Sequence, residues 1–119
     1  MWVFTQHGFV SAVQHFDDPT KIVVRSRDKQ SLEMASQLFG AEIVNSPRND
    51  YPYRVILERS QFIAFLTTEV ELLDYTNFKG RLDSSRGELW HDTASAVWGI
   101  MHEIEDDEAR DQRTPAFLK

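Results

Sequence analysis

Two arginines on one strand offer this sequence its clearest chemistry. Arg25 and Arg27 stand two apart in Lys-Ile-Val-Val-Arg-Ser-Arg (21–27). Alternate residues of a β-strand share a face, so both guanidiniums lie on one side with Val23, while Ile22, Val24 and Ser26 lie on the other. The run Phe9–Phe16 sorts the same way. Phe9, Ser11, Val13 and His15 share one face, and Val10, Ala12, Gln14 and Phe16 the other. A sheet face holding Ser11, His15, Arg25 and Arg27, with Arg54 from a later strand, would be a weakly basic platform with aromatics nearby. Forked guanidinium donors match carboxylate or phosphate, so that face suits an acidic peptide or single-stranded RNA. The same pattern also describes a solvated sheet face with cross-strand charge pairs. Burial of the arginines by Asp or Glu of a neighbouring strand would make them structural.

A second candidate is Asp74-Tyr75-Thr76-Asn77-Phe78-Lys79. Asp74 and Asn77 can bond nearby backbone amides, and Tyr75 and Phe78 can pin a loop to the core. Tyr75, Asn77 and Lys79 alternatively line a partner site.

Other reactive types lack the spacing their chemistry needs. His91 and His102 are eleven apart, about 16 Å along a helix, and cannot share an ion. His102 and Asp106 have i, i+4 spacing, as many surface pairs do. No metal or cofactor motif stands out. Ser, His and Asp are present, but no nucleophile elbow frames them. A metal-independent ribonuclease would need two positioned acid/base groups such as His7 and His15, and His7 falls in an expected turn beside Gly8. A hydrolase or nuclease is therefore the weakest functional reading.

Composition narrows the classes. At 119 residues the chain is one domain. It is long enough to bury roughly two-thirds of its unfolded surface. The absence of Cys excludes disulfides, thiolate zinc sites and a cysteine nucleophile, and fits a reducing compartment. No apolar run reaches the ~18 residues of a membrane span. With a strand pattern starting at Trp2 and no basic or apolar leader, the expected location is the cytoplasm. Net charge is −6 and unevenly spread: residues 1–60 hold seven acids and seven bases, residues 61–119 twelve acids and six bases. An acidic protein repels phosphate at long range, which disfavours general nucleic-acid affinity unless a local basic strand overrides it. The run Glu103-Ile104-Glu105-Asp106-Asp107-Glu108 reads as a docking surface for a basic partner or as the solvated end of a helix. Carboxylates there oppose the helix dipole.

The elements expected to position these residues follow from periodicity. Strands are predicted at 2–5, 9–16, 21–27, 41–45 and 53–59. Helices are predicted at 29–39 (capped by Asp28, ended by Gly40), at 61–73 (capped by Ser60) and at 86–108, opened by a capping box Ser85-Arg86-Gly87-Glu88. In the second helix Phe62, Phe65, Leu66, Val70 and Leu73 point inward. In the third, Leu89, Thr93, Ala96, Ile100 and Ile104 form the apolar stripe, with Trp90, Val97 and Met101 beside it. The order β-β-β-α-β-β-α-α gives an α+β fold of two layers: an antiparallel or mixed sheet of about five strands, three helices, and ferredoxin-like split βαβ elements. The domain is expected over 1–109, with a flexible tail over 110–119. The third helix is apolar on more than one side, which predicts contact with another helix or a homodimer through 86–108.

The start Met1-Trp2-Val3-Phe4-Thr5, the segment Asp74–Lys79 and the helix Trp90-His91-Asp92…Val97-Trp98 together resemble a group of small proteins encoded by actinobacteria and their phages. The resemblance runs from Trp2 to about Ile104 and is sharpest at Asp-Tyr-x-Asn-Phe-Lys. It implies an accessory protein that modulates a host or regulatory component, and brings no activity with it. The chain departs from the group by continuing through Glu105–Lys119 and by having only Asp17–Thr20 where members carry a longer insertion. The functional expectation is a small non-catalytic cytoplasmic protein that binds another protein. The alternative is a nucleic-acid-binding module using the Arg25/Arg27 face.

Overall fold

The computed structural model describes residues 1–113. Five strands, β1 (Trp2–Thr5), β2 (Gly8–Gln14), β3 (Lys21–Ser26), β4 (Val44–Asn45) and β5 (Tyr53–Glu58), form one open antiparallel sheet of order β1-β2-β3-β5-β4. Helix α1 (Gln30–Phe39) joins β3 to β4, and β5 inserts between those two strands. This is the split βαβ arrangement within an α+β fold. Helix α2 (Arg59–Glu71) follows β5 directly.

Alternation decides the core. Val10, Ala12, Ile22, Val24, Val55 and Leu57 face one side and pack with Leu32 and Ala35 of α1 and Phe62 and Phe65 of α2. Gly40 ends α1 in the left-handed conformation, its N–H bonded to the Ser36 carbonyl. In α2 the inward side differs in its last two turns. Glu69 is buried there, while Val70 and Leu73 are exposed. Glu69 turns inward because the His7 ring bonds its carboxylate at 2.6 Å. Glu58, not Ser60, caps α2: its N–H donates to the Gln61 side chain at 2.9 Å in a reciprocal capping box.

The C-terminal half departs most from the sequence expectation. Instead of a loop followed by one helix over 86–108, there are α3 (Phe78–Arg86), α4 (Glu88–Ile100), a 3₁₀ turn (Met101–Ile104) and α5 (Asp107–Arg113). Gly87 has φ +96° and ψ 178°, which breaks the helix between α3 and α4. Ser85 does not cap α4. Its hydroxyl donates to the Gln6 carbonyl at 2.5 Å. The tail expected over 110–119 begins within α5, and 114–119 lie outside the described residues.

A polar joint fixes this helical pair to the sheet. Arg86, whose side chain is 7% exposed, donates to the His7 carbonyl at 2.6 Å and to Ser31 Oγ at 3.4 Å, and pairs with Asp28. Its guanidinium lies 4.3 Å from the Trp90 ring centroid. Asp28, expected to cap α1, instead accepts from Arg86 and from the Ser31 hydroxyl. The β1–β2 turn passes so close that only glycine fits. A Cβ on Gly8 (φ +140°) would sit 2.1 Å from Ser31 Oγ and 2.6 Å from Arg86 Nη1.

Two measurements check this account. Gly8→Ala and Arg86→Ala should each cost about 3 kcal/mol in urea unfolding, the first through strain and collision, the second by leaving Asp28 unpaired in a partly buried site. In the β2–β3 turn, the Thr20 hydroxyl and N–H both bond Asp18 Oδ1, at 2.6 and 2.9 Å, and hold its carboxyl below the usual carboxylate value. The stabilisation is present above the unfolded pKa of Asp18 and is lost as pH falls through the folded one. NMR titration should show Thr20→Val raising the Asp18 pKa toward its ordinary value.

Candidate functional site

The sheet face turned away from α1 and α2 gathers the strand candidates. Register aligns Trp2, Ser11, Arg25, Arg54 and Val44 in one rung across all five strands. Arg25 donates to Ser11 Oγ at 2.7 Å and to the Ser11 carbonyl at 3.4 Å. Ser11 is itself buried, so it orients Arg25 instead of offering its hydroxyl to solvent. Arg27 is exposed and donates to the Asp50 carbonyl at 3.3 Å. Tyr51 lies beneath both arginines, its ring centroid 4.8 Å from the Arg25 guanidinium and 4.9 Å from that of Arg27. Phe9 packs on Tyr51, Phe4 and Trp2. Sequence reasoning missed Tyr51 because it sits in the turn before β5, where strand alternation gives no direction.

His15 stands apart. The strand ends at Gln14, and the His15 ring stacks on Phe16 and accepts the Asp17 N–H. His7 and His15 flank β2 at opposite ends, roughly 25 Å apart by strand rise. They do not form an acid/base pair. Among the described residues no group of three His, Asp or Glu side chains could hold a metal ion. His91 bonds Asp92 and His102 bonds Glu105, each on the surface.

The Asp74–Lys79 residues divide between two roles. Asn77 caps α3 by accepting the Gly80 N–H at 3.1 Å, and Asp74 pairs with Arg81 at 2.9 Å. Tyr75 packs on Phe78 and under the Arg81 guanidinium. Asn77 and Lys79, with Phe4, Phe78, Val97 and Trp98, line a groove of about 400 Å³ between β1 and the α3–α4 pair. The Lys79 ammonium lies 4.5 Å from the Trp98 ring centroid. The structure therefore separates the candidates into an arginine–aromatic sheet face and an apolar groove bordered by α4.

Helix α4 presents its expected apolar stripe to solvent. Its one buried residue is Ala94. Trp90 and Val97, one turn on either side, form the partly buried inner line. Leu89, Ile100 and Ile104 are 78%, 65% and 74% exposed. Two apolar lines were legible in this helix, and the anchoring of Trp90 on Arg86 selects which one turns inward. By helical spacing Glu88, Asp92 and Glu103 border the outer stripe. At Glu105, desolvation opposes ionisation, but bonds from Arg113 and His102 outweigh it and hold the carboxyl below its usual value.

Comparison with protein-family models, curated proteins and solved structures returns no match. Among the described residues no helix is long and apolar enough to cross a membrane.

The orientation of α4 has a direct check. Leu89→Ser and Ile100→Ser should change stability by no more than about 0.5 kcal/mol, whereas Ala94→Asp should cost about 3 kcal/mol by burying an unpaired carboxylate. Urea midpoints of the three variants distinguish this orientation from one with the Leu89 stripe inward.

Proposed function

We propose that this protein is a non-catalytic cytoplasmic binding module that docks another protein along α4. The observation that carries the reading is the unpartnered stripe of Leu89, Ala96, Ile100 and Ile104, while Trp98, also exposed, lies on the opposite side of the helix. A contiguous exposed apolar patch on a small domain marks an interaction surface. On the other side of α4, the groove between β1 and the helix supplies a recess for one apolar anchor side chain.

Charge selects the kind of partner. Glu88, Asp92 and Glu103 beside the stripe favour a surface with an apolar centre and a Lys/Arg rim. They disfavour nucleic acid at this face, because phosphate would meet carboxylate. A second copy is the less suited occupant, since docking α4 on α4 brings these carboxylates together. The resemblance of the Trp2–Ile104 region to actinobacterial and phage accessory proteins supports a host or regulatory protein as the target.

The test is photo-crosslinking from position 89 or 100 in the cytosol of the source cell, with Glu33 on α1 as control position. Cross-links to a distinct protein from 89 and 100, absent from 33 and lost on adding Trp98→Asp, are the expected result. Cross-links confined to the protein itself, with a dimer mass in light scattering, would replace the heterologous partner by a homodimer. No cross-link from either position removes the docking reading.

A further inference from the structure

The open sheet face is a surface distinct from the outer stripe of α4. Arg25 and Arg54 are direct cross-strand partners, and Arg27, just past the end of β3, meets the same Tyr51 ring as Arg25. Like charges directly opposite each other destabilise a strand pair. No ion pair among the described residues reaches any of the three. Arg54 Nε is buried and finds no hydrogen-bond acceptor. The five strands hold a single carboxylate, Glu58, which pairs with Lys21 at 3.9 Å. It lies four residues from Arg54, roughly 13 Å along the strand. Three guanidiniums thus gather at one face with no ion pair among the described residues, Asp50 meeting Arg27 through its carbonyl, although the whole chain is acidic.

Aromatic rings lie beside them. Trp2 heads the same rung and is 72% exposed, and Phe4 is exposed on the same face. Tyr51 sits against the Arg25 and Arg27 guanidiniums and holds them in place. Fixed cations next to open rings are complementary to a ligand that alternates phosphate with π-faced bases.

We infer that this face binds single-stranded nucleic acid, with phosphates on Arg25, Arg27 and Arg54 and unstacked bases on Trp2 and Phe4. A duplex hides its base faces and would meet these rings with phosphates alone. An acidic peptide would use the arginines but leave the indole without a matching group. The acidic second half of the chain restricts binding to this face and makes it salt-sensitive.

The experiment is fluorescence anisotropy of labelled 12-mer oligo(dT) and oligo(U) with the full chain. A duplex and a poly-glutamate peptide are run alongside, and NMR follows the Trp2 indole. Micromolar binding of a single strand is expected, with log K falling against log salt at a slope of about −2, from three phosphate contacts at roughly 0.7 each. A tighter oligo(U) or a tighter oligo(dT) both support the inference and identify the preferred sugar. Trp2→Ala should weaken binding about ten-fold. Arg25→Ala with Arg54→Ala should cut the slope to about −0.7, the one contact left being Arg27, in a variant whose melting temperature is checked first. If that variant does not fold, the wild-type slope and the shift of the Trp2 indole resonance decide the question. Absence of single-strand binding at low salt, binding with no Trp2 shift, or equal affinity for poly-glutamate or duplex would overturn the inference.

Discussion

The guanidinium of Arg86 closes the joint on which the C-terminal half of this protein depends. It binds the His7 carbonyl at the tip of the β1–β2 hairpin, Ser31 at the start of α1 and the Asp28 carboxylate, and carries the Trp90 ring on its face. A buried guanidinium must satisfy its fork of donors or lose several kcal/mol of hydration. Here three elements far apart in sequence meet that demand together. The joint also explains why the hairpin turns on Gly8: any side chain there would displace Ser31 or Arg86. Gln6 extends the same seam, since its side chain accepts from Arg81 and its carbonyl accepts from Ser85.

The orientation of α4 follows from that joint. Once Arg86 holds Trp90, the helix turns Ala94 and Val97 inward and leaves Leu89, Ile100 and Ile104 outside. The main core does not need them. It is complete between the sheet and α1 and α2, where Leu32, Val24, Val55 and Leu57 are almost fully buried. The outer stripe of α4 is thus apolar surface beyond what the fold consumes, which is the physical basis for reading it as a docking face.

Charge is divided between two surfaces. The exposed stripe of α4 is bordered by carboxylates, and the open sheet face by arginines whose partners are carbonyls, a hydroxyl and an aromatic ring. With a screening length of about 8 Å at physiological salt, the two fields act locally and the net charge of −6 does not cancel the basic face. The two surfaces meet at Phe4, which stands on the outer sheet face and also lines the groove beside α4.

The sequence by itself determined the sheet and its core. Period-2 alternation in Phe9–Gln14 and Lys21–Ser26 set which residues face inward, and β-branched content and turn residues located the strands, because those signals are local. The pairing of Arg25 and Arg27 on one face was legible for the same reason. What only the tertiary structure decided were the elements governed by distant contacts. Ser85 and Glu88 carry the letters of a capping box, yet the Ser85 hydroxyl goes to Gln6, 79 residues away, and Gly87 breaks the helix between them. Glu69, not Val70, turns inward near the end of α2, where His7 reaches it from the hairpin, and Leu73 lies past the helix end. Tyr51 joined the arginines from a turn that carries no periodicity. The choice between two apolar lines on α4 was likewise made by Arg86, since a helix apolar on two sides does not itself specify which side is buried.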